Sequence, residues 1–304
     1  MAAVNRGSET SLCRRQLFCP AGIVLLTAML STHASAGIIV YEAAGATPAS
    51  ITATRDAFRS AVGGGSVAGA NGNFGGLRRE INWDGVPGTF SDPNLLPNNF
   101  FNANSPRGVE FSTPGAGTGV MVSANSGGAT PTLFGFPGDL QTFSTQKLFA
   151  TVGTNILDIR FFVPGTSTKA VTSAFAAIFV DVEDNDAVNF TNLEFFDLQD
   201  SLIFSRHVLT AGNQGLSFLG GIADAGEFIA RVRITTPNNF LISNGVRANE
   251  TTDFVVMDDF LYAAPTAVPE PGTVGLLALG ALIMCIAQRK LRHSGNKRQN
   301  VTQL

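Results

Sequence analysis

The sequence predicts an all-β fold, a β-sandwich with a jelly-roll as the candidate topology. One short N-terminal helix and a C-terminal membrane-inserted helix accompany it. Two observations carry the sandwich. Short runs alternate apolar and polar residues, as in "ILDIRFFV", and Gly, Pro, Asn and Asp separate them. Another run, "FAAIFVDV" from Phe175, is almost wholly apolar, as a strand buried on both faces would be.

The chain begins with Arg6, Arg14 and Arg15, an apolar stretch from Ala21 to Leu30, and a small-residue site at Ala34 and Ala36. This pattern predicts a secretory signal peptide over 1–36 and a mature start at Gly37. Thr47 to Val62 reads as the short helix, with Pro48 in its first turn, Gly63-Gly64-Gly65 at its end, and Ile51, Phe58 and Val62 on one face. Seven of the fourteen residues from Gly63 to Gly76 are glycine, which predicts a loop. Ile81 and Trp83 alternate with Glu80, Asn82 and Asp84 in a short strand. "DPNLLPNNFFNANSPRG" reads as a long ordered loop, and strands follow at Gly108–Thr113 and Gly119–Ala124.

The second half is denser in strands. Leu157, Ile159, Phe161 and Val163 point one way, and Asp158 and Arg160 the other. Further on, Phe228, Ala230, Val232 and Ile234 oppose Arg231 and Arg233. In "FVVMDDFLY", Asp258 shares its parity with Phe254, Val256, Phe260 and Tyr262, which predicts a buried carboxylate, while Asp259 points to the other face. A buried carboxylate must be hydrogen-bonded, paired or metal-bound.

The end of the chain has a different logic. Val274 to Ala287 is a 14-residue run without a charge. As a helix it is about 21 Å long, against a bilayer core of about 30 Å. Pro269 and Pro271 give it a clean start, and Arg289, Lys290 and Arg292 follow it directly. Snorkelling basic side chains lengthen a short span and mark the cytoplasmic side. The predicted organisation is therefore a signal peptide (1–36), an ectodomain (37–265) and a tail (266–304). A transmembrane helix occupies about 273–288 of that tail, with a basic segment over 289–304.

Val268-Pro269-Glu270-Pro271, an apolar helix and a basic cluster, in that order at this end, resemble the PEP-CTERM sorting signal of Gram-negative bacteria. The resemblance implies a membrane protease partner, exosortase, and an export route associated with exopolysaccharide. "RREINWDGVP", "NNFFNANSPRG" and "VVMDDFLY" are similar to stretches of ectodomains that accompany such tails, over most of Arg55 to Pro265. That similarity implies a sandwich fold and brings no activity with it.

Composition narrows the chemistry. Cys13, Cys19 and Cys285 all lie in the targeting segments. The mature ectodomain therefore has no disulfide, Cys-ligated zinc or thiol nucleophile. From Gly37 to Gly272 there are 22 Asp/Glu against 12 Lys/Arg, a net charge of −10, which argues against nucleic acid as a partner. His207 is the one ectodomain histidine, and no G-x-S-x-G elbow is present, so no catalytic constellation is read.

No cofactor is implied by these residues. Calcium is the candidate metal, with Asp181, Glu183, Asp184, Asp186 and Asp258 as candidate ligands, because it gathers several carboxylate oxygens from loops. Asn82, Trp83 and Asp84 are a candidate sugar platform, the ring stacking and the polar groups orienting. The functional expectation is an exported surface or matrix protein, structural or adhesive, binding extracellular polysaccharide and not an enzyme. The alternative is a secreted glycan hydrolase using an Asp/Glu pair, with candidates in "DVEDND" and in Glu194, Asp197 and Asp200.

Overall fold

The first strand, β1 (Ile38–Gly45), leads directly into α1 (Pro48–Val62). Ile51 and Phe58 are buried on one face of α1, as their spacing predicts. Thr47 makes no capping bond; its hydroxyl meets Ser50 Oγ at 3.3 Å instead. The helix stops at Gly63, whose N–H donates to the Arg59 carbonyl at 2.8 Å. In the glycine run that follows, Gly64 and Gly72 come too close to backbone carbonyls for side chains. A Cβ on Gly64 would lie 2.2 Å from the Phe74 carbonyl oxygen.

The computed structural model describes residues 37–268, apart from 127, 129, 225 and 243–245, and also 280 and 284. The predicted signal peptide, Pro269-Glu270-Pro271, Arg289, Lys290, Arg292 and the bulk of the predicted C-terminal helix lie outside the described residues. Among the described residues no helix is long and apolar enough to cross a membrane.

After α1 come β2 (Asn73–Phe74), β3 (Arg78–Ile81), α2 (Phe100–Ala103), β4 (Val109–Ser112), β5 (Gly119–Val122), β6 (Phe149–Val152) and β7 (Ile156–Phe162). Then follow β8 (Lys169–Val171), β9 (Ala174–Val180), β10 (Asn192–Phe196), β11 (Leu202–His207), β12 (Leu216–Ala223), β13 (Arg231–Thr235), β14 (Val256–Ala263) and β15 (Thr266–Ala267). The strands form two antiparallel sheets. One runs β1-β12-β9-β14-β3-β2, with β6 also on β14 and β5 on β6. The other runs β11-β10-β13-β7-β8-β15, with β4 on β7.

The fold is thus a filled sandwich. Leu157, Ile159 and Phe161 of β7 and Val232 and Ile234 of β13 meet Phe175, Ala177 and Phe179 of β9 in the core between the sheets. The other face of β9, with Ala174, Ala176, Ile178 and Val180, belongs to a second core closed by Ile51 and Phe58 of α1. Double coverage explains the unbroken apolar run that the sequence shows there. Val163 packs against the first core as expected, whereas Phe228 precedes β13 and is exposed. The long Asn/Pro-rich loop contains the short α2, whose two phenylalanines are buried.

The parity predicted along β14 does not hold. Met257 pairs with Phe179 and Phe260 with Ala177, so three residues of β14 span two of β9. This is a β-bulge, which inserts one extra residue and shifts the alternation beyond it. Phe254 and Val256 therefore face the helix-side core, while Phe260 and Tyr262 face the core between the sheets. Asp258 and Asp259 occupy the bulge, and both are buried, at 0 % and 5 % exposure. The expectation that Asp258 and Asp259 face opposite ways is corrected by this extra residue, since both carboxylates meet Ser144 Oγ.

Candidate functional site

Two adjoining cavities of about 840 and 610 Å³ flank α1 and share Arg55, Arg59, Ala68 and Phe74. The helix supplies Arg55 and Arg59, four residues apart and so on one face. Arg59 donates to both oxygens of Glu80 on β3, at 2.9 and 2.5 Å. Arg78 Nε reaches the same carboxylate at 2.6 Å and uses its other nitrogens on the Arg59, Gly63 and Gly65 carbonyls. This one guanidinium ties the helix end and the glycine loop to the sheet. Guanidinium groups also lie over the ring faces, Arg78 on Phe74 at 4.4 Å and Arg55 on Phe143 at 4.8 Å. Arg107 donates to the Glu80 carbonyl at 2.9 Å, while its Nε is buried without a partner. The result is a groove in which cationic donors, carboxylate acceptors and half-buried rings alternate.

At the floor of the smaller cavity sits the bulge. Asp258 accepts from the Phe143 N–H at 2.6 Å. Ser144 Oγ lies 2.9 Å from Asp258 Oδ1 and 2.8 Å from Asp259 Oδ1. A hydroxyl has one hydrogen to donate, so two such contacts need a proton on one of the carboxyls. Burial and the adjacent Asp259 charge push Asp258 well above the ordinary aspartate value of 3.8, and burial raises Asp259 too. Glu80 opposes ionisation of Asp259, while Arg59 favours it.

The folded pair holds its proton more tightly than the unfolded chain does. Its contribution to stability is complete below pH 3.8 and is lost as pH rises through the raised folded value. Asp258→Asn supplies a neutral amide that donates to Ser144 Oγ and accepts from Phe143. Its melting temperature is expected to fall less than the parent's over that rise. Asp258→Ala leaves the Phe143 N–H unpaired and should cost about 1–3 kcal/mol. Calorimetry across a pH series checks both; parallel pH profiles for Asp258→Asn and the parent protein would remove the shared proton.

The candidate calcium ligands separate. Asp181 and Glu183 come together with Asp253, their carboxylate oxygens within 4.8 Å of one another. Asp258 instead bonds to Phe143 and Ser144. Asp184 contributes only its N–H, to Asp253 at 3.5 Å. Asp186 is exposed and accepts from Val188 and Asn189 in its own turn. The sequence reading missed Asp253. The signal was register: Val256 opposite Val180 carries the chain before β14 past 181–184. Burial pushes Asp181 up to about 7 and Asp253 up to about 6.

The sugar platform is corrected outright. Trp83 is 1 % exposed and stacks on Phe149 at 4.2 Å inside the core. Its backbone, at φ 64°, turns the ring inward beyond the end of β3. Asn82 is exposed on the groove wall, and Asp84 accepts from the Asn82 side chain and the Lys147 N–H. Elsewhere, His207 stacks on Phe190, Asp197 caps its own turn, and Asp200 pairs with Arg231.

Fold and tail together define a β-sandwich ectodomain followed by a C-terminal sorting segment. Residues 267–290 match the PEP-CTERM protein-sorting motif, and the chain carries that motif as an exported protein does. No curated protein matches the sequence. Among solved structures it is similar to a histidine mutant of the lectin binding domain of lectinolysin complexed with Lewis b. That likeness has 8 % identity, 47 % of this chain and 89 % of that one covered, and a TM-score of 0.21. So low a score carries neither topology nor ligand across.

Proposed function

We propose that this chain is a structural or adhesive protein of the cell surface or extracellular matrix of a Gram-negative bacterium, and that the groove beside α1 holds extracellular polysaccharide. Exosortase reads its tail, and the apolar helix at about 273–288 holds it at the inner membrane meanwhile. Removal of 1–36 would make the Gly37 nitrogen an α-ammonium facing Asp224 Oδ1, now 2.7 Å away. The groove carries the ligand proposal: the half-buried rings of Phe74 and Phe143 stand among the guanidinium and carboxylate groups of Arg55, Arg107 and Asp259. Sugar hydroxyls need such interleaved donors and acceptors beside an apolar surface.

The role is binding and not hydrolysis. Glycosidase carboxyls flank the scissile bond about 5–10 Å apart, whereas Asp259 lines the groove, Asp258 is buried behind it, and the two share Ser144. A glycan-array screen of the detergent-solubilised full chain, beside Arg55→Ala/Asn82→Ala, tests the reading. The parent is expected to retain a polysaccharide class that the double variant binds at least about tenfold more weakly, a loss of about 1.4 kcal/mol. An array without binding, or equal binding by both proteins, overturns the groove. New reducing ends released from a bound glycan would install the hydrolase in its place.

A further inference from the structure

We propose that Asp181, Glu183 and Asp253 form a calcium site at the end of the sheet, away from the groove residues. Three carboxylate oxygens within 4.8 Å of one another fit the shell of one calcium ion. At Ca–O distances of about 2.3–2.6 Å, ligands on opposite sides are about 4.6–5.2 Å apart. The donor set is all oxygen, as a hard cation requires. Among the described residues no Lys or Arg makes an ion pair with any of the three.

An independent observation points to a ligand. Asp253 is 7 % exposed, and its Oδ2 accepts the Glu183 N–H at 2.8 Å, while its Oδ1 is buried with no hydrogen-bond partner. A buried carboxylate oxygen without a donor costs free energy that a cation offsets. Asp181 is equally enclosed, at 3 % exposure, with one oxygen accepting the Gln214 N–H at 2.8 Å. Glu183 is exposed. The site is therefore rigid on two sides and open on the third, where water completes a calcium shell and the ion enters.

The elements explain the convergence. Asp181 and Glu183 follow β9 directly, and Asp253 lies just before β14, its antiparallel neighbour. A cation here would clamp the two central strands at their shared end. The proposal is independent of what the groove binds.

The test is calorimetric melting of the chelator-treated full chain, with calcium alone added back. The parent is expected to melt about 5–10 °C higher at calcium near one hundred times its Kd. Asp253→Asn should melt at or above the parent in chelator, because it removes a buried like charge, and should bind calcium at least about tenfold more weakly on titration. Glu183→Gln, at an exposed position, carries the same expectation for calcium should the buried variant fail to fold. Asp186→Asn should keep the full parental shift. An unshifted parent, an equal shift in Glu183→Gln, or loss of the shift in Asp186→Asn would each overturn the site.

Discussion

Replacing Pro269, Glu270 and Pro271 together with alanine is expected to leave export across the inner membrane intact and to halt the protein there. The predicted N-terminal signal peptide is untouched. The tail changes in two ways. The motif matched over 267–290 loses its defining residues. The 14-residue apolar run can also extend backwards as a helix, to 20 residues from Val268 to Ala287, because Glu270 and the two helix-blocking prolines before it are gone. A 20-residue helix is about 30 Å long, the thickness of a bilayer core. A short, readable tail thereby becomes an ordinary anchor. Fractionation of tagged parent and variant should move essentially all of the variant into the inner membrane. Identical distributions would show that the triplet plays no part in sorting.

Trp83→Ala should be the most destabilising single substitution in the ectodomain, at about 3–5 kcal/mol. The indole is stacked on Phe149, with the edges of Phe101 and Phe260 at 5.5 and 5.0 Å. Its N–H donates to the carbonyl of Asp258. Truncation thus empties the centre of the aromatic core and strips a hydrogen bond from the bulge. Trp83→Phe keeps most of the packing and isolates the lost bond, at about 1–3 kcal/mol. For a domain of this size the alanine variant should melt roughly 6–20 °C lower. As the sole tryptophan, the parent's residue reports its own burial by fluorescence. A cost below that of the phenylalanine variant would place the ring outside the core.

Much of the sandwich is legible in the sequence because its evidence is local. Period-two alternation identifies β7, and an unbroken apolar run identifies β9 as covered on both faces. The helix at Pro48 announces itself through proline, spacing and terminal glycines. What escapes depends on partners distant in sequence. Trp83 misleads because Asn82 and Asp84 beside it are polar, while its destination is set by a left-handed backbone and by Phe149. Parity puts Asp258 inside by an argument that the bulge invalidates, and puts Asp259 on the opposite face for the same reason. Lys147 is fully buried with its ammonium on the Val86 carbonyl and Ser91 Oγ, neither of which is near it in the chain. Asp253 lies 70 residues from Glu183, to which it bonds, and only the register of β14 brings them together.

The shortest strand has a bearing on release of the tail. β15 closes at Ala267, the first residue of the matched motif, and pairs with β8 through Thr266–Val171 and Ala267–Ala170. Pro269 is two residues further on, no more than about 7 Å of extended chain. The sorting motif thus begins at the last strand of the folded body. An enzyme cutting there must have a shallow mouth that tolerates a sheet edge against it, or it must wait until β15 peels away. Both β15 residues are exposed, and two pairs and the Val268 N–H on the Lys169 carbonyl hold this edge, while segments of this kind move on the ns–μs scale of loops and termini. The stand-off between body and scissors is thus set by the folded domain itself, and lengthening it with a few flexible residues after Ala267 should speed release.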